Sequence, residues 1–115
     1  MLIYHITYQD EWENQFPAGR YMPANYPSDG FIHCSTSNQV RSVAERLYQG
    51  QAHLIVLEIE TTLLEKQPIF ENLEGGKELY PHLYSHLPTS AVTRVINLPL
   101  DTRHNLQFPA IFPSE

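Results

Sequence analysis

A histidine and a cysteine stand side by side in the stretch SDGFIHCSTSNQV, where they could form a nucleophilic pair. A cysteine becomes reactive when a nearby base or positive charge lowers the pKa of its thiol. The letters GFIHCS are typical of a short strand, however, and successive side chains of a strand point to opposite faces of the sheet. We therefore predict that Cys34 packs in the core beside Ile32. Phe31, His33 and Ser35 then share the opposite face of this strand.

Six histidines in 115 residues also raise the question of a metal site, because imidazole is a common metal ligand. The sequence has no H-x-H, H-x-x-H or HExxH pattern. His82 and His86 have the i, i+4 spacing that suits a helix, but they lie in a segment bounded by prolines. We predict no metal site, and a metal-dependent hydrolase that uses His5, His33 and His82 stays as a further alternative.

Three segments carry polar or aromatic side chains that could line one pocket. They are YHIT near the N-terminus, GFIHCS, and ELYPHLY, which contains Glu78. Imidazoles hydrogen-bond ribose or amide oxygens and flat rings stack on aromatic side chains, so this set suits a polar small molecule that contains a ring. A histidine on a strand is also commonly a hydrogen-bonded core residue without a further role. The ligand-binding residues that we predict are His5, Thr7, His33, Ser35, Tyr80 and Tyr84.

The elements that position these segments are mostly strands. Apolar and β-branched residues predict strands over Leu2–Tyr8 and His53–Glu60, and further strands in PIFENL, AVTRVINLPL and LQF. The main helix is predicted from about Ser37 to Gln49, with Thr36 as its N-cap and Gln39 as the capping-box partner.

A shorter helix is predicted after the first strand, with Asp10 as its N-cap and Glu13 as the partner. Strands outnumber helices, so the predicted class is α+β with mostly antiparallel sheet and one main helix. No repeat or linker interrupts the chain, and we predict a single domain over residues 1–115.

The bulk composition limits the partners. Seven basic and 13 acidic residues give a formal net charge of −6, so the chain lacks the positive field that binds nucleic acid. Its single cysteine cannot form an internal disulfide, which fits a reducing compartment. No apolar run approaches the length of a membrane helix, and no signal peptide is visible at the N-terminus. We expect a cytoplasmic protein without a membrane partner.

The motifs IYHIT, GFIHCSTSNQV and GKELYPHLYSHLP, in this order and followed by AVTRVINLPL, resemble a family of small bacterial proteins known as domain of unknown function 952. The resemblance spans roughly Leu2 to Pro99. It implies a fold similar to that of ADP-ribosyltransferases, in which a split pair of sheets encloses a cleft for NAD.

The same resemblance implies a role for each motif. His5 would hydrogen-bond the ribose of NAD, and His33, steadied by Ser35, would lie near the nicotinamide. The third motif normally supplies a catalytic glutamate, and here either Glu78 or His82 occupies that position.

Several functions stay open at this point. Two further carboxylates, Glu71 and Glu74, stand just upstream of Glu78. The resemblance implies a protein that binds NAD or a related nucleotide, with or without transfer or hydrolysis of its ADP-ribosyl group. This hypothesis has two variants. One is a two-histidine chemistry that resembles that of RNA 2′-phosphotransferases, and the other is nucleotide binding without a reaction. The alternative from a different class is a non-catalytic ligand-binding or protein-interaction domain, and no cofactor is certain.

Overall fold

The computed structural model describes residues 1–73 and 75–114. They form an α+β fold with antiparallel sheets and few helices. The described residues contain eight strands: β1 (Leu2–Tyr8), β2 (Arg20–Tyr21), β3 (Ile32–His33), β4 (Leu54–Glu60), β5 (Ile69–Glu71), β6 (Tyr80–Leu83), β7 (Leu87–Pro88) and β8 (Val92–Leu98). Three α-helices, α1 (Gln9–Gln15), α2 (Tyr26–Asp29) and α3 (Ser37–Leu47), and three short 3₁₀ turns connect them.

The largest sheet has the order β1-β4-β8, and both of its strand pairs are antiparallel. Its central strand β4 reads LIVLEIE and is buried along almost its whole length, because apolar residues stand on both of its faces. One face joins a core with Ile3, Ile32 and Leu83. The opposite face packs on Val40 and Ala44 of α3 and on the C-terminal Phe112. The sheet thus separates two apolar cores.

A second sheet has the order β3-β6-β5, and β2 pairs with β7 in a small third sheet. Two backbone hydrogen bonds between Tyr4 and Ser35, with N···O distances of 2.8 and 2.7 Å, hold the end of β3 against β1. His5 and Thr7 of β1 lie on the same face of that strand as Ile3, so they point towards the second sheet. This junction between the two sheets positions the candidate site.

Both predicted helices are confirmed, and the predicted N-cap is correct for α3 and wrong for α1. The capping box of Thr36 and Gln39 is present, and α3 ends at Leu47, two residues before the predicted end. The predicted N-cap Asp10 lies inside α1, which begins at Gln9. The backbone N–H of Gln9 donates to the His53 carbonyl at 2.9 Å, so a neighbouring loop satisfies this helix end instead of a capping side chain.

The strand predictions are confirmed for the long strands and differ at three short ones. GFIHCS forms a strand only over Ile32–His33. PIFENL forms a strand only over Ile69–Glu71. LQF does not form a strand, and Leu106 makes only an isolated antiparallel bridge with Leu100. Among the described residues, no helix combines the length and apolar composition needed to cross a membrane.

Candidate functional site

A cavity of about 500 Å³ opens where β1, β3, β6 and α3 meet. Two carboxylates, Glu11 and Asp29, lie in its wall, and Arg46 of α3 is the one arginine or lysine that the described lining contains. The predicted site residues that line this cavity are His5, Thr7, His33, Ser35, Tyr80 and His82. The three sequence motifs therefore converge on one space.

Three rings form one wall of the cavity. His33 and His82 are direct cross-strand partners in β3 and β6, and their ring centroids are 5.6 Å apart. Phe31 shares the face of His33, as the alternation of the strand predicts, and its ring stacks on His82 with centroids 4.0 Å apart and an interplanar angle of 26°. Phe31 and His82 are therefore stacked, and the His33 ring is tilted against both of them by 47° and 67°.

A carboxylate anchors the His82 imidazole from the neighbouring strand. Oε1 of Glu71 lies 2.9 Å from Nδ1 of His82 and also accepts a hydrogen bond from the hydroxyl of Tyr84. The hydrogen bonds from Tyr84 and His82 hold the pKa of the Glu71 carboxyl below its usual range. The hydrogen bond to Glu71 raises the pKa of the Tyr84 hydroxyl. Since an ionised carboxylate only accepts, Nδ1 of His82 carries the proton in this contact.

His33 is anchored in the same manner but is more open to solvent. Its Nε2 lies 2.9 Å from Oδ2 of Asp29, and 46% of its side chain is exposed. Asn25 donates a second hydrogen bond of 2.9 Å to the same carboxylate oxygen. The short helix α2 therefore holds Asp29 in place beside the cavity.

His5 has a different place in the site, because the protein occupies both of its ring nitrogens. Nδ1 lies 2.6 Å from the His33 carbonyl and must donate to it, which leaves Nε2 as the acceptor from the Tyr21 hydroxyl at 2.9 Å. Burial lowers the pKa of His5 to about 4, so the ring is neutral near pH 7. The Tyr21 hydroxyl also lies 2.7 Å from Oγ1 of Thr7. His5 thus joins β1 to β3, and neither of its nitrogens is free for a ligand.

The structure does not bring Glu78 into the cavity. Its carboxylate accepts hydrogen bonds from Nε2 of Gln39 at 3.4 Å and from the Tyr80 hydroxyl at 3.3 Å, in the segment before β6. The carboxylate that reaches His82 belongs to Glu71 instead. Tyr84 is outside the cavity lining too, and contacts the site through Glu71 and Phe31, while Glu74 lies outside the described residues.

The prediction for Cys34 is confirmed. It is 4% exposed in the core that contains Ile32 and Leu83, and burial raises the pKa of its thiol. A nucleophilic pair with His33 is therefore not supported. In the part of the chain that the structure describes, no three His, Cys, Asp or Glu side chains are grouped to hold a metal.

Sequence reasoning missed the importance of Glu71 and Tyr21. Glu71 could have been found by pairing PIFENL with ELYPHLY as an antiparallel hairpin across Gly75 and Gly76. Nothing in the sequence points to Tyr21, because it lies in the two-residue strand β2 within a segment whose three prolines predict a loop.

Comparisons with known proteins agree with this description. Residues 6–95 match the family described as "Protein of unknown function (DUF952)". The chain resembles the crystal structure of protein CC0527 from Caulobacter crescentus, with 37% identity over 93% of this chain and 94% of that one and a TM-score of 0.81. The solution NMR structure of CC0527 is similar, with 37% identity, coverage of 92% and 91%, and a TM-score of 0.80.

No curated protein matches the chain. The family match covers most of its length and includes every residue that lines the cavity except His5. The resemblance found in the sequence motifs is thus confirmed, and the chain belongs to the DUF952 family of proteins of unknown function.

Proposed function

We propose that this protein binds NAD or a related nucleotide in the cavity between its two main sheets. The observation that carries the proposal is the wall of rings formed by Phe31, His33 and His82, in which Phe31 stacks on His82. A volume of about 500 Å³ falls within the range of small-molecule sites, roughly 300–1,000 Å³.

The charge of the cavity supports a ligand with a planar cationic ring. Glu11 and Asp29 line it, and Glu71 lies directly behind His82. Aromatic faces attract cations, and nearby carboxylates strengthen that attraction. The nicotinamide of oxidised NAD is a flat cation, so we place it against the wall formed by Phe31 and His82.

The remaining parts of a dinucleotide have partners on other sides of the cavity. Arg46 of α3 is the group suited to a phosphate, because a guanidinium donates two parallel hydrogen bonds to phosphate oxygens. Ser35 and Tyr80 supply hydroxyl groups that could contact a ribose. Thr7 is less available, since its Oγ1 lies 2.7 Å from the Tyr21 hydroxyl.

A relationship to ADP-ribosyltransferases, and with it transfer or hydrolysis of an ADP-ribosyl group, forms part of this proposal. Its support is the resemblance of the motifs and the antiparallel sheets that flank the cavity. The position of Glu78 outside the cavity favours the second candidate, a ligand-binding domain without catalysis. The metal-dependent hydrolase is not supported, because both ring nitrogens of His5 are hydrogen-bonded within the protein.

Calorimetric titration tests the binding proposal with NAD, ADP-ribose and nicotinamide as separate ligands. We expect NAD to bind, and we expect Phe31→Ala to weaken its binding by about tenfold or more because one aromatic stack is worth roughly 1–3 kcal/mol. Phe70→Ala is the control, since Phe70 is a phenylalanine of β5 outside the cavity lining and is 38% exposed. Absence of NAD binding at millimolar concentration, or equal losses in the two variants, would contradict the proposal.

A further inference from the structure

The hairpin of β5 and β6 holds the imidazole of His82 in one orientation. Ile69 pairs with His82 and Glu71 pairs with Tyr80, so all four side chains stand on one face of the hairpin. Glu71 holds one edge of the His82 ring through Nδ1, and Phe31 covers its flat face. The ring is therefore restrained in both position and rotation.

This restraint leaves one nitrogen of His82 for chemistry. The proton on Nδ1 points to Glu71, so Nε2 of the neutral ring bears a lone pair. Within the described residues, Nε2 has no hydrogen-bond partner, whereas every fully buried side-chain nitrogen or oxygen has one. Nε2 therefore keeps access to open space, and the space that His82 lines is the cavity.

The other two imidazoles at the site, His5 and His33, do not combine a free ring nitrogen with shielding from water. Both nitrogens of His5 are occupied within the protein. His33 is anchored through Nε2 to Asp29 on the more exposed side of the cavity. His82, only 7% of whose side chain is exposed, is the imidazole that combines shielding from water with a free nitrogen and a carboxylate partner.

We infer that His82 is a general base and Glu71 its positioning residue, and that the pair activates water to hydrolyse the bond between a ribose and a cationic heterocycle in the cavity. This inference rests on the proposed function and names its reaction. Glu71 takes the place that the sequence motif suggested for Glu78.

The step is balanced with water as the sole co-reactant. The water oxygen forms a bond to C1′ of the ribose while its proton passes to Nε2 of His82. The C1′–N bond breaks, and its electron pair stays on the heterocycle, which leaves as a neutral base. The Glu71 carboxylate stabilises the imidazolium, which then releases the proton to solvent. For NAD the products are ADP-ribose, nicotinamide and a proton.

Chromatographic assay of nicotinamide released from NAD tests the inference, with binding measured on the same samples by calorimetry. We expect release by the wild type, a loss of about 100-fold or more in His82→Gln, and a loss of at least ~tenfold in Glu71→Gln, with NAD affinity changed little. Added imidazole should restore part of the activity of His82→Ala. Glu65→Gln is the matched control, because Glu65 is exposed and outside the cavity.

A readout independent of activity tests the positioning role of Glu71. In ¹⁵N NMR spectra, His82 should change from a single Nδ1–H form to a mixture of tautomers in Glu71→Gln, and Glu71→Asp should retain part of both the tautomer and the activity. NAD binding without nicotinamide release would overturn the inference and leave the binding proposal standing. Absence of NAD binding would overturn both, and a larger loss in Glu78→Gln than in Glu71→Gln would overturn the assignment of the carboxylate.

Discussion

At the scale of single residues, His5 lines the cavity although both of its ring nitrogens are hydrogen-bonded within the protein. The His5 ring on β1 is buried, and its two nitrogens are hydrogen-bonded to the His33 carbonyl of β3 and to the Tyr21 hydroxyl. Burial lowers its pKa and so keeps the ring neutral. The alternation of LIYHITY predicts which face His5 occupies. It cannot predict the partners, because Tyr21 and His33 come from separate parts of the chain.

The neutral state of His5 predicts a loss of stability in acid. Its pKa is about 4 when folded and 6.5 when unfolded, so the unfolded chain binds the proton more tightly between these values. The contribution of neutral His5 to the free energy of unfolding is fully present above pH 6.5 and is lost as the pH drops towards 4. We expect the loss between pH 7 and pH 5 to be about 2 kcal/mol. Urea unfolding of wild type and His5→Gln at both pH values measures this. Equal changes in the two proteins would contradict the assignment.

At the scale of elements, α3 and the β5–β6 hairpin differ in how far the sequence predicts them. The start of α3 is encoded locally by Thr36 and Gln39, and the prediction is confirmed. The hairpin depends on pairing two segments across the chain, and only that pairing brings Glu71 to His82. The start of α1 was mispredicted for the same reason, because its first N–H is satisfied by His53.

Gln39, in the first turn of α3, also connects this helix to the segment before β6, which carries His82. Its Oε1 accepts from the Thr36 N–H at 3.0 Å, and its Nε2 donates to the Leu79 carbonyl at 2.9 Å, just before β6. We expect Gln39→Ala to lower the free energy of unfolding by about 1–3 kcal/mol, since it removes both a cap and a partly buried hydrogen bond. The control Asn38→Ala, at an exposed position of the same helix, should cost less than about 0.5 kcal/mol. Thermal and urea unfolding compare the two.

At the scale of the whole molecule, the central sheet separates two cores and the cavity lies beside it. Composition and strand patterns are enough to predict the α+β class, and the motifs are enough to predict the family. The meeting of β1, β3, β6 and α3 at one cavity is a property of the tertiary structure. The sequence indicates it only through the shared faces of His5, His33 and Tyr80.

The most direct test of the central claim is titration of the ¹⁵N-labelled protein with NAD, followed by NMR. We predict saturable shift changes at the backbone amides around Phe31, His33 and His82, together with changes in the His82 ring signals. A second groove, which Trp12 and Val95 help to line and which shares no lining residue with the cavity, should not respond. Shifts confined to that groove, or no saturable change at millimolar NAD, would contradict a nucleotide site in the cavity.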